Sequence, residues 1–286
     1  MFRYLLYIIG QFIALHLPLK AGYKLAEVIS DTRYLFAYQD RRAVRGNLKV
    51  IFPQKSDREI RQIRIRIFRN FAKYLVDFFR FSKIDQEYIR QNIRLENLHY
   101  IDQALREGKG AIALTAHLGN WELGGIVIPL LGYPFWAVAL PHKDKRVNAF
   151  FNFQRESKGL KVIPLGRAVR KCLDVLKNNE IVALAGDRDF TEKGMVIDFF
   201  GKPTFLPEGA AAFALKTGAR IVPGFMFRNK DDSFTLRMEK PIEFIPTQNN
   251  QDDLIRLIRQ CKMVIEDYIR KYPEQWYMFR RFWIEP

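Results

Sequence analysis

From about Gly110 onward, short apolar runs alternate with longer segments in which apolar residues recur every three or four positions. The short runs are typical of buried strands, and the three-to-four spacing is typical of helices. Their alternation predicts an α/β fold with a single mixed, largely parallel sheet and flanking helices. The predicted strands cover residues 111–116, 135–140, 160–165, 180–186, 220–227, 233–239 and 241–245, and the predicted helices cover 121–131, 147–158, 167–177, 208–217 and 252–271.

The beginning of the chain has a different pattern. Residues 4–19 are almost wholly apolar and lie between Arg3 and Lys20. This run is shorter than the roughly 20 residues that span a bilayer, so it predicts a helix in the membrane interface or a short tilted anchor. A secretory signal is a third alternative, but no small-residue cleavage site follows. The patterns together predict a membrane-associating helical extension at residues 1–20 and an α/β domain at residues 21–286.

Residues 58–80 form a helical pattern with two different sides. Apolar residues recur from Ile60 to Phe78, and most of the basic residues fall on the opposite face. Such a basic amphipathic helix is typical of proteins that lie on anionic membranes, although an ordinary surface helix with solvated arginines has the same pattern. The sequence leaves both interpretations open.

Composition and charge narrow the class of protein. With 48% hydrophobic and 27% charged residues, the chain is globular, which excludes disordered, collagen-like and polytopic membrane proteins. Its net charge of +16 predicts a polyanionic partner, such as an anionic membrane surface or an acidic carrier protein. Nucleic acid is not expected, because no nucleic-acid motif accompanies the dispersed basic residues. Cys172 and Cys261 are the only cysteines, which indicates a reducing compartment without a disulfide framework.

One histidine follows a predicted strand at the point where a sheet presents side chains to a substrate. His117 comes directly after residues 111–116, and parallel strands open a crevice at their carboxyl edge. Gly119 permits a turn, Asn120 is a suitable helix N-cap, and Glu122 falls in the first helical turn. This path would let Glu122 bind one ring nitrogen, so that His117 acts as a general base. The spacing alone is a weak signal, because an acid often falls five residues after a histidine by chance.

The sequence contains no serine nucleophile elbow, no zinc-binding helix and no phosphate-binding loop of the common types. A base without a protein nucleophile implies direct attack by a substrate hydroxyl or by water. At this point a transferase, a hydrolase and a non-catalytic basic membrane-binding module all remain open.

The segment from His117 to Glu122, HLGNWE, resembles the His-x4-Asp/Glu motif of the lysophospholipid acyltransferase superfamily. Its form is similar to the branch that contains the late lipid A acyltransferases and the phosphatidylinositol mannoside acyltransferases. The resemblance covers most of the chain from about residue 40, in the family's order. Its further parts are Arg155, AGDRD at 185–189, FFGKP at 199–203, LPEG at 206–209, TGARIVP at 217–223, YPEQW at 272–276 and RR at 280–281.

This resemblance implies that an acyl chain moves from a thioester of acyl carrier protein or coenzyme A to a hydroxyl of a membrane glycolipid or lysolipid. His117 would take the hydroxyl proton and Glu122 would orient the ring. No metal and no bound cofactor are implied, because the thioester is a co-substrate. The implied location is the cytoplasmic face of the bacterial inner membrane, with the protein held peripherally or by a single N-terminal anchor.

Five further residues are predicted to bind substrate. Arg155, Arg188 and the backbone around Gly209 at a helix start are candidates for the developing oxyanion and the donor's phosphates. Asp187 belongs to a triplet that looks more like the phosphatidylinositol mannoside branch. Glu208 resembles the phosphate-binding segment of the glycerolipid branch and is an alternative partner for His117.

Overall fold

The computed structural model of the protein describes residues 2–189, 194–247 and 249–284, without the side chains of Phe2, Arg3 and Arg167. Within these residues, the strands form a seven-stranded sheet and a separate two-stranded hairpin. The strands are β1 (Ile93–Glu96), β2 (Ala111–Thr115), β3 (Phe135–Ala139), β4 (Lys161–Pro164), β5 (Ile181–Ala185), β6 (Met195–Phe199), β7 (Lys202–Leu206), β8 (Arg220–Arg228) and β9 (Phe234–Met238).

Helices cover both faces of the sheet. They are α1 (Phe2–His16), α2 (Leu19–Phe36), α3 (Tyr38–Ile51), α4 (Asp57–Phe79), α5 (Gln86–Asn92), α6 (His99–Arg106), α7 (Trp121–Leu130), α8 (Lys145–Glu156), α9 (Ala168–Lys177), α10 (Gly209–Thr217) and α11 (Asn250–Lys271). Short 3-10 turns lie at Phe81–Lys83, Leu165–Arg167 and Pro273–Gln275.

The sheet is mixed and largely parallel, as predicted. Its strand order is β1-β9-β8-β2-β5-β3-β4, and β8, β2, β5, β3 and β4 run parallel to one another. The last strand, β9, runs antiparallel to β8 and parallel to β1. Strands β2 and β5 are neighbours in register, with Thr115 opposite Ala185, so their carboxyl ends lie at the same level of one edge.

The two faces of the sheet belong to different hydrophobic clusters, because successive strand residues point to opposite faces. Ala113 and Ala183 lie on the face covered by α6, α7 and α8. Leu114 and Leu184 lie on the face covered by α9, α10 and α11. A third cluster holds α2, α3 and α4 together and reaches Tyr277. The N-terminal helices therefore form a layer that packs beside the carboxyl edge of the sheet.

One side of α1 packs against the fold and the other side is exposed. Tyr7 contacts the rings of Phe79, Phe150 and Phe151, and Ala14 is buried. Five large apolar side chains of the same helix are exposed: Leu5, Leu6, Ile9, Phe12 and Ile13. Within the described part of the chain, no helix combines the length and the apolar character that a membrane crossing requires.

The basic side of α4 is partly used within the fold. Arg69 binds both carboxylate oxygens of Asp31 on α2, and Lys73 lies 3.0 Å from Glu27 on the same helix. Arg80, just after α4, donates to backbone carbonyls at the end of α1. These three cations attach α4 to its helical neighbours, so for them the structure favours the interpretation as a surface helix of the fold.

Most predicted elements are confirmed, and one strand is wrong. The predicted strands from 111–116 to 233–239 agree with observed strands to within one residue, and the predicted helices from 121 onward agree to within two. Residues 241–245 form no strand, since Pro241 has no N–H and one hydrogen bond, from Ile242 N to Ile221 O, joins the segment to β8. The patterns missed β1 and the β6–β7 hairpin.

Candidate active site

His117 and Asp187 meet because they follow neighbouring parallel strands. Each lies two residues beyond its strand, β2 or β5, and the N–H of Gly186 donates to Thr115 O at 2.8 Å, which extends the pairing. The histidine Nδ1 lies 2.7 Å from Oδ1 of Asp187. Because an ionised carboxylate can only accept, Nδ1 donates this bond, and in the neutral ring Nε2 is the basic nitrogen.

Asp187 is fully buried and ionised. The indole N–H of Trp276 donates to its other oxygen at 3.1 Å, and Arg188 Nε lies 3.8 Å from that oxygen. Burial alone raises the pKa of Asp187, but the charge and hydrogen bond of His117, together with Arg188, bring it well below the ordinary value. The site therefore holds a carboxylate directly behind His117, which fixes the tautomer and the orientation of the ring.

Glu122 binds Arg155 and not His117, contrary to the prediction. Arg155 donates from Nε to one carboxylate oxygen at 2.8 Å and from Nη2 to the other at 2.5 Å. The reason is the start of α7, where the Asn120 side chain accepts the N–H of Leu123 and begins the helix. Trp121 then lies beside the His117 ring, with centroids 5.1 Å apart. Glu122 is rotated about 100° further around the helix, toward α8.

Arg155 is a largely buried cation on α8. Burial lowers its pKa, but the charge of Glu122 and its two hydrogen bonds raise it above the ordinary value, so the guanidinium remains charged. A bidentate pair of this kind fixes the plane of the guanidinium. Both residues line the same cavity as His117.

The other predicted residues lie at that cavity as well. Arg188 donates from Nη2 to Tyr277 O at 3.0 Å, and burial lowers its pKa. Gly209 is the first residue of α10. Glu208 occupies the N-cap position of α10 without a capping hydrogen bond, and no hydrogen bond joins it to His117. All of the predicted site residues line the cavity except Asp187, which lies behind His117.

The cavity has a volume of about 860 Å³, near the upper end of the roughly 300–1,000 Å³ of small-molecule sites. Its walls are mostly apolar, and the charged side chains collect near the carboxyl edge of the sheet. Among the described residues, no group of three histidine, cysteine, aspartate or glutamate side chains could hold a metal ion. The arrangement thus provides a base supported by a buried carboxylate, next to a space suited to hydrocarbon.

Residues 275–277 also contact the site, which the sequence did not predict. Leu118 and Trp276 form an antiparallel bridge, Gly119 N donates to Gln275 O at 2.8 Å, and Tyr277 N donates to His117 O at 3.1 Å. The segment therefore holds the turn at residues 117–120 in place through main-chain hydrogen bonds, and it also supplies the indole that binds Asp187. The YPEQW match marked this region, but nothing in the sequence indicated what it contacts.

A buried polar cluster supports the turn from the other side. Asp77 of α4 accepts a hydrogen bond from Asn120 Nδ2 at 2.9 Å and further bonds from Tyr23 and Arg228. Burial lowers the pKa of Arg228, but Asp77 and Tyr23 raise it above its ordinary value, so the guanidinium remains charged. In the sequence, this cluster is indicated by Asp77 alone, an acidic residue placed among the apolar residues of a helical stripe. The cluster connects the N-terminal helices to the residue that caps α7.

Comparison with known proteins gives consistent matches over this chain. The profile of the bacterial lipid A biosynthesis acyltransferase family matches residues 1–285. A phosphatidylinositol mannoside acyltransferase of Mycolicibacterium smegmatis is 27% identical over 219 residues, which cover 75% of this chain and 70% of the relative. The Mycobacterium tuberculosis protein of that name is 33% identical over 160 residues, about half of each chain. A lipid A biosynthesis palmitoleoyltransferase of Escherichia coli is 26% identical over 246 residues, 85% of this chain and 78% of the relative.

Proposed function

Because this chain belongs to the bacterial lipid A biosynthesis acyltransferase family, we propose that it transfers a fatty acyl chain from acyl carrier protein or coenzyme A to a hydroxyl of a membrane glycolipid. Membership makes the chain an acyltransferase, and its relatives' names include acyltransferases of phosphatidylinositol mannoside and of lipid A. The transfer from a thioester to a lipid hydroxyl is supported by one observation, the pair of His117 and buried Asp187 at the wall of a large apolar cavity.

In the proposed reaction, His117 Nε2 takes the proton of the acceptor hydroxyl as its oxygen attacks the thioester carbonyl. Asp187 stabilises the resulting imidazolium through Nδ1. When the tetrahedral intermediate collapses, the carbon–sulfur bond breaks and the imidazolium returns its proton to the leaving thiolate. Positioned proton transfer of this kind contributes about 10²–10⁴-fold to rate.

Two buried cations lie near this chemistry. Arg155 is fixed by Glu122, and Arg188 is held at the carbonyl of Tyr277. We assign them to the negative charge that develops on the carbonyl oxygen and to phosphates of the substrates. Glu122 then acts through Arg155, which it positions, and not through His117.

The acyl chain of the donor fits the part of the cavity below α7, which we call the α7 arm. Ala137, Ala183 and Ala113 lie opposite one another on three adjacent strands, and Gly124 and Gly125 of α7 face the same space. Small side chains on both walls leave room for a hydrocarbon chain between helix and sheet. The arm ends among buried apolar residues: Ile128, Met226, Leu236 and Met238.

We also place the protein at the cytoplasmic face of the inner membrane. Its acceptor and product are lipids, which requires the cavity to open at a bilayer surface. The exposed apolar side of α1 and the net charge of +16 suit contact with anionic lipid. An exposed side of this kind favours a peripheral position in the interface.

The deciding experiment compares His117→Ala with wild type and with a His99→Ala control on α6. Thiol release and mass spectrometry of lipids are measured with acyl carrier protein or coenzyme A donors and extracted bacterial membrane lipids. We expect His117→Ala to remove acylated product while keeping the melting temperature, and His99→Ala to keep the activity. Normal product from folded His117→Ala would contradict the proposal. Thiol release without acylated lipid in wild type would instead indicate a thioester hydrolase.

A further inference from the structure

The cavity extends along both faces of the central sheet. Ala183 and Leu184 are consecutive residues of β5 that belong to the hydrophobic clusters of opposite faces, and both line the cavity. The same holds for Ala113 and Leu114 of β2. The cavity therefore continues around the carboxyl edge of the sheet into a second apolar space.

This second space, which we call the α10 arm, lies between β5 and the helices α10 and α11. Its walls include Leu184, Ala210, Phe213, Ile258 and Cys261, all of them apolar side chains. The α7 arm and the α10 arm meet at the edge that carries His117. A hydrocarbon chain in either arm consequently has its polar end near the general base.

The opening of the cavity lies where the two arms meet. Leu140, just after β3, is 51% exposed and Val169, in the first turn of α9, is 67% exposed, and both line the cavity. The α7 arm ends among buried side chains, which suits a chain that lies entirely within the protein. A chain in the α10 arm runs inward from the same opening, so it can belong to a molecule whose other parts remain outside the protein.

We propose that the α10 arm binds a hydrocarbon chain of the acceptor glycolipid and is a second lipid-chain site. This inference rests on the proposed transfer reaction. A thioester donor contains one acyl chain, and the α7 arm has room for it. The part of the donor that carries the thioester contains amides, which would lose their hydrogen bonds to water against the apolar walls of the α10 arm. The acceptor is the other substrate that contains hydrocarbon. The enzyme therefore recognises its acceptor by lipid chain as well as by head group.

The test uses one substitution in each arm, Ala210→Leu in the α10 arm and Ala183→Leu in the α7 arm as its matched control. Both are assayed with a mixture of acyl thioesters of different chain lengths, from which the preferred donor is identified, and with two acceptors. The acceptors are the lipid that gives product in the assay above, and the same lipid after mild base has removed its ester-linked chains.

We expect Ala210→Leu to raise KM for the intact acceptor about tenfold, the effect of roughly two lost methylene contacts. The deacylated acceptor should be used as by wild type, and the length of the transferred chain should not change. Ala183→Leu should shorten the preferred donor chain and leave the discrimination between the two acceptors unaltered.

Other results would overturn the inference without affecting the proposed reaction. If Ala210→Leu shortens the transferred chain, both arms hold the acyl chain of the donor. If it leaves KM unchanged for both acceptors, the α10 arm binds no acceptor chain. If Ala210→Leu does not fold, the wild-type protein still tests the inference, because a site for an acceptor chain requires that wild-type kcat/KM rises with the length of that chain. Equal kcat/KM for intact and deacylated acceptors would exclude the site. Absence of product with every acceptor would instead contradict the proposed function.

Discussion

The carboxylate that supports His117 comes from a distant part of the chain, and this distinguishes it experimentally from Glu122. Asp187→Asn keeps the side-chain shape but removes the charge that stabilises the imidazolium, so kcat should fall about 10²–10⁴-fold. Glu122→Gln leaves the pair of His117 and Asp187 intact and should mainly release Arg155, which raises KM through weaker binding of substrate phosphates and lowers kcat less than the loss of the Asp187 charge does. Steady-state kinetics on folded variants measure both. A larger kcat loss in Glu122→Gln than in Asp187→Asn would restore the dyad predicted from sequence.

Trp276 fixes the second oxygen of the same carboxylate. Trp276→Phe removes the N–H but keeps an aromatic ring, and we expect kcat to fall roughly tenfold, the effect of one lost hydrogen bond to a charged group. Trp283→Phe is the matched control, because its N–H binds the backbone oxygen of Phe199, away from the site. If Trp276 acts through Asp187, adding Trp276→Phe to Asp187→Asn should cause little further loss. Fully additive losses would assign the tryptophan a purely structural role.

The residues that the sequence predicted for the site lie together at one cavity, but the pairing of His117 with Glu122 is not the one in the structure. His117, Glu122, Arg155 and Asp187 were all predicted to belong to the site. The pairing depends on strand order, since Asp187 reaches His117 only because β2 and β5 are neighbours. Strand order results from packing between distant segments, and no local pattern records it. The five-residue spacing to Glu122 was available in the sequence, but the rotation of α7 takes that side chain elsewhere.

At the scale of elements, the turn between β2 and α7 requires glycine at one position. Gly119 has φ +64°, and a Cβ there would lie 2.0 Å from the backbone oxygen of Met226. Gly119→Ala should therefore destabilise the protein by clearly more than the roughly 1–2 kcal/mol of the backbone conformation alone. Gly108→Ala provides the comparison, because Gly108 has φ +72° and open space around it. Denaturant melts measure both, and equal losses would show that the close approach to Met226 costs nothing.

Most of the strands predicted correctly are apolar runs, whereas the strands that the patterns missed are short and contain charged residues. The strand at 181–185 is a fully apolar run, whereas β1 has the sequence IRLE and alternates with charges over four residues. The β6–β7 hairpin is similarly mixed, with Asp198 and Lys202 near its turn. Residues 241–245 looked like a strand because Ile242, Phe244 and Ile245 are apolar, but a strand also needs a free neighbouring edge and a backbone N–H that proline lacks.

At the scale of the whole molecule, the proposed contact with a bilayer depends on the exposed apolar side of α1. Leu6 and Phe12 on α1 are 52% and 62% exposed. Replacing both with serine should weaken binding to anionic vesicles about tenfold or more and make the residual binding more sensitive to salt. Turnover of a detergent-dispersed acceptor should persist. Vesicle sedimentation at low and high salt measures the effect.

The control for this prediction is Ile245→Ser with Met263→Ser, which removes two exposed apolar side chains from other parts of the surface. Equal vesicle binding by the control and the α1 variant would contradict docking through α1. Substitution is preferable to deletion of residues 1–19. Tyr7 of α1 lines the cavity and packs against Phe150 and Phe151, so deletion would remove part of the cavity wall.

The pairing of residues 275–277 with the turn at residues 117–120 also sets an order of events during translation. The chain leaves the ribosome from its N-terminus at about 5–20 residues per second, so α1 emerges early and the turn at His117 emerges well before Trp276. Until the later segment has been synthesised, the turn lacks its main-chain partners and Asp187 lacks the indole. The arrangement around His117 on which the proposed reaction depends is therefore complete only after the chain has been made as far as Tyr277.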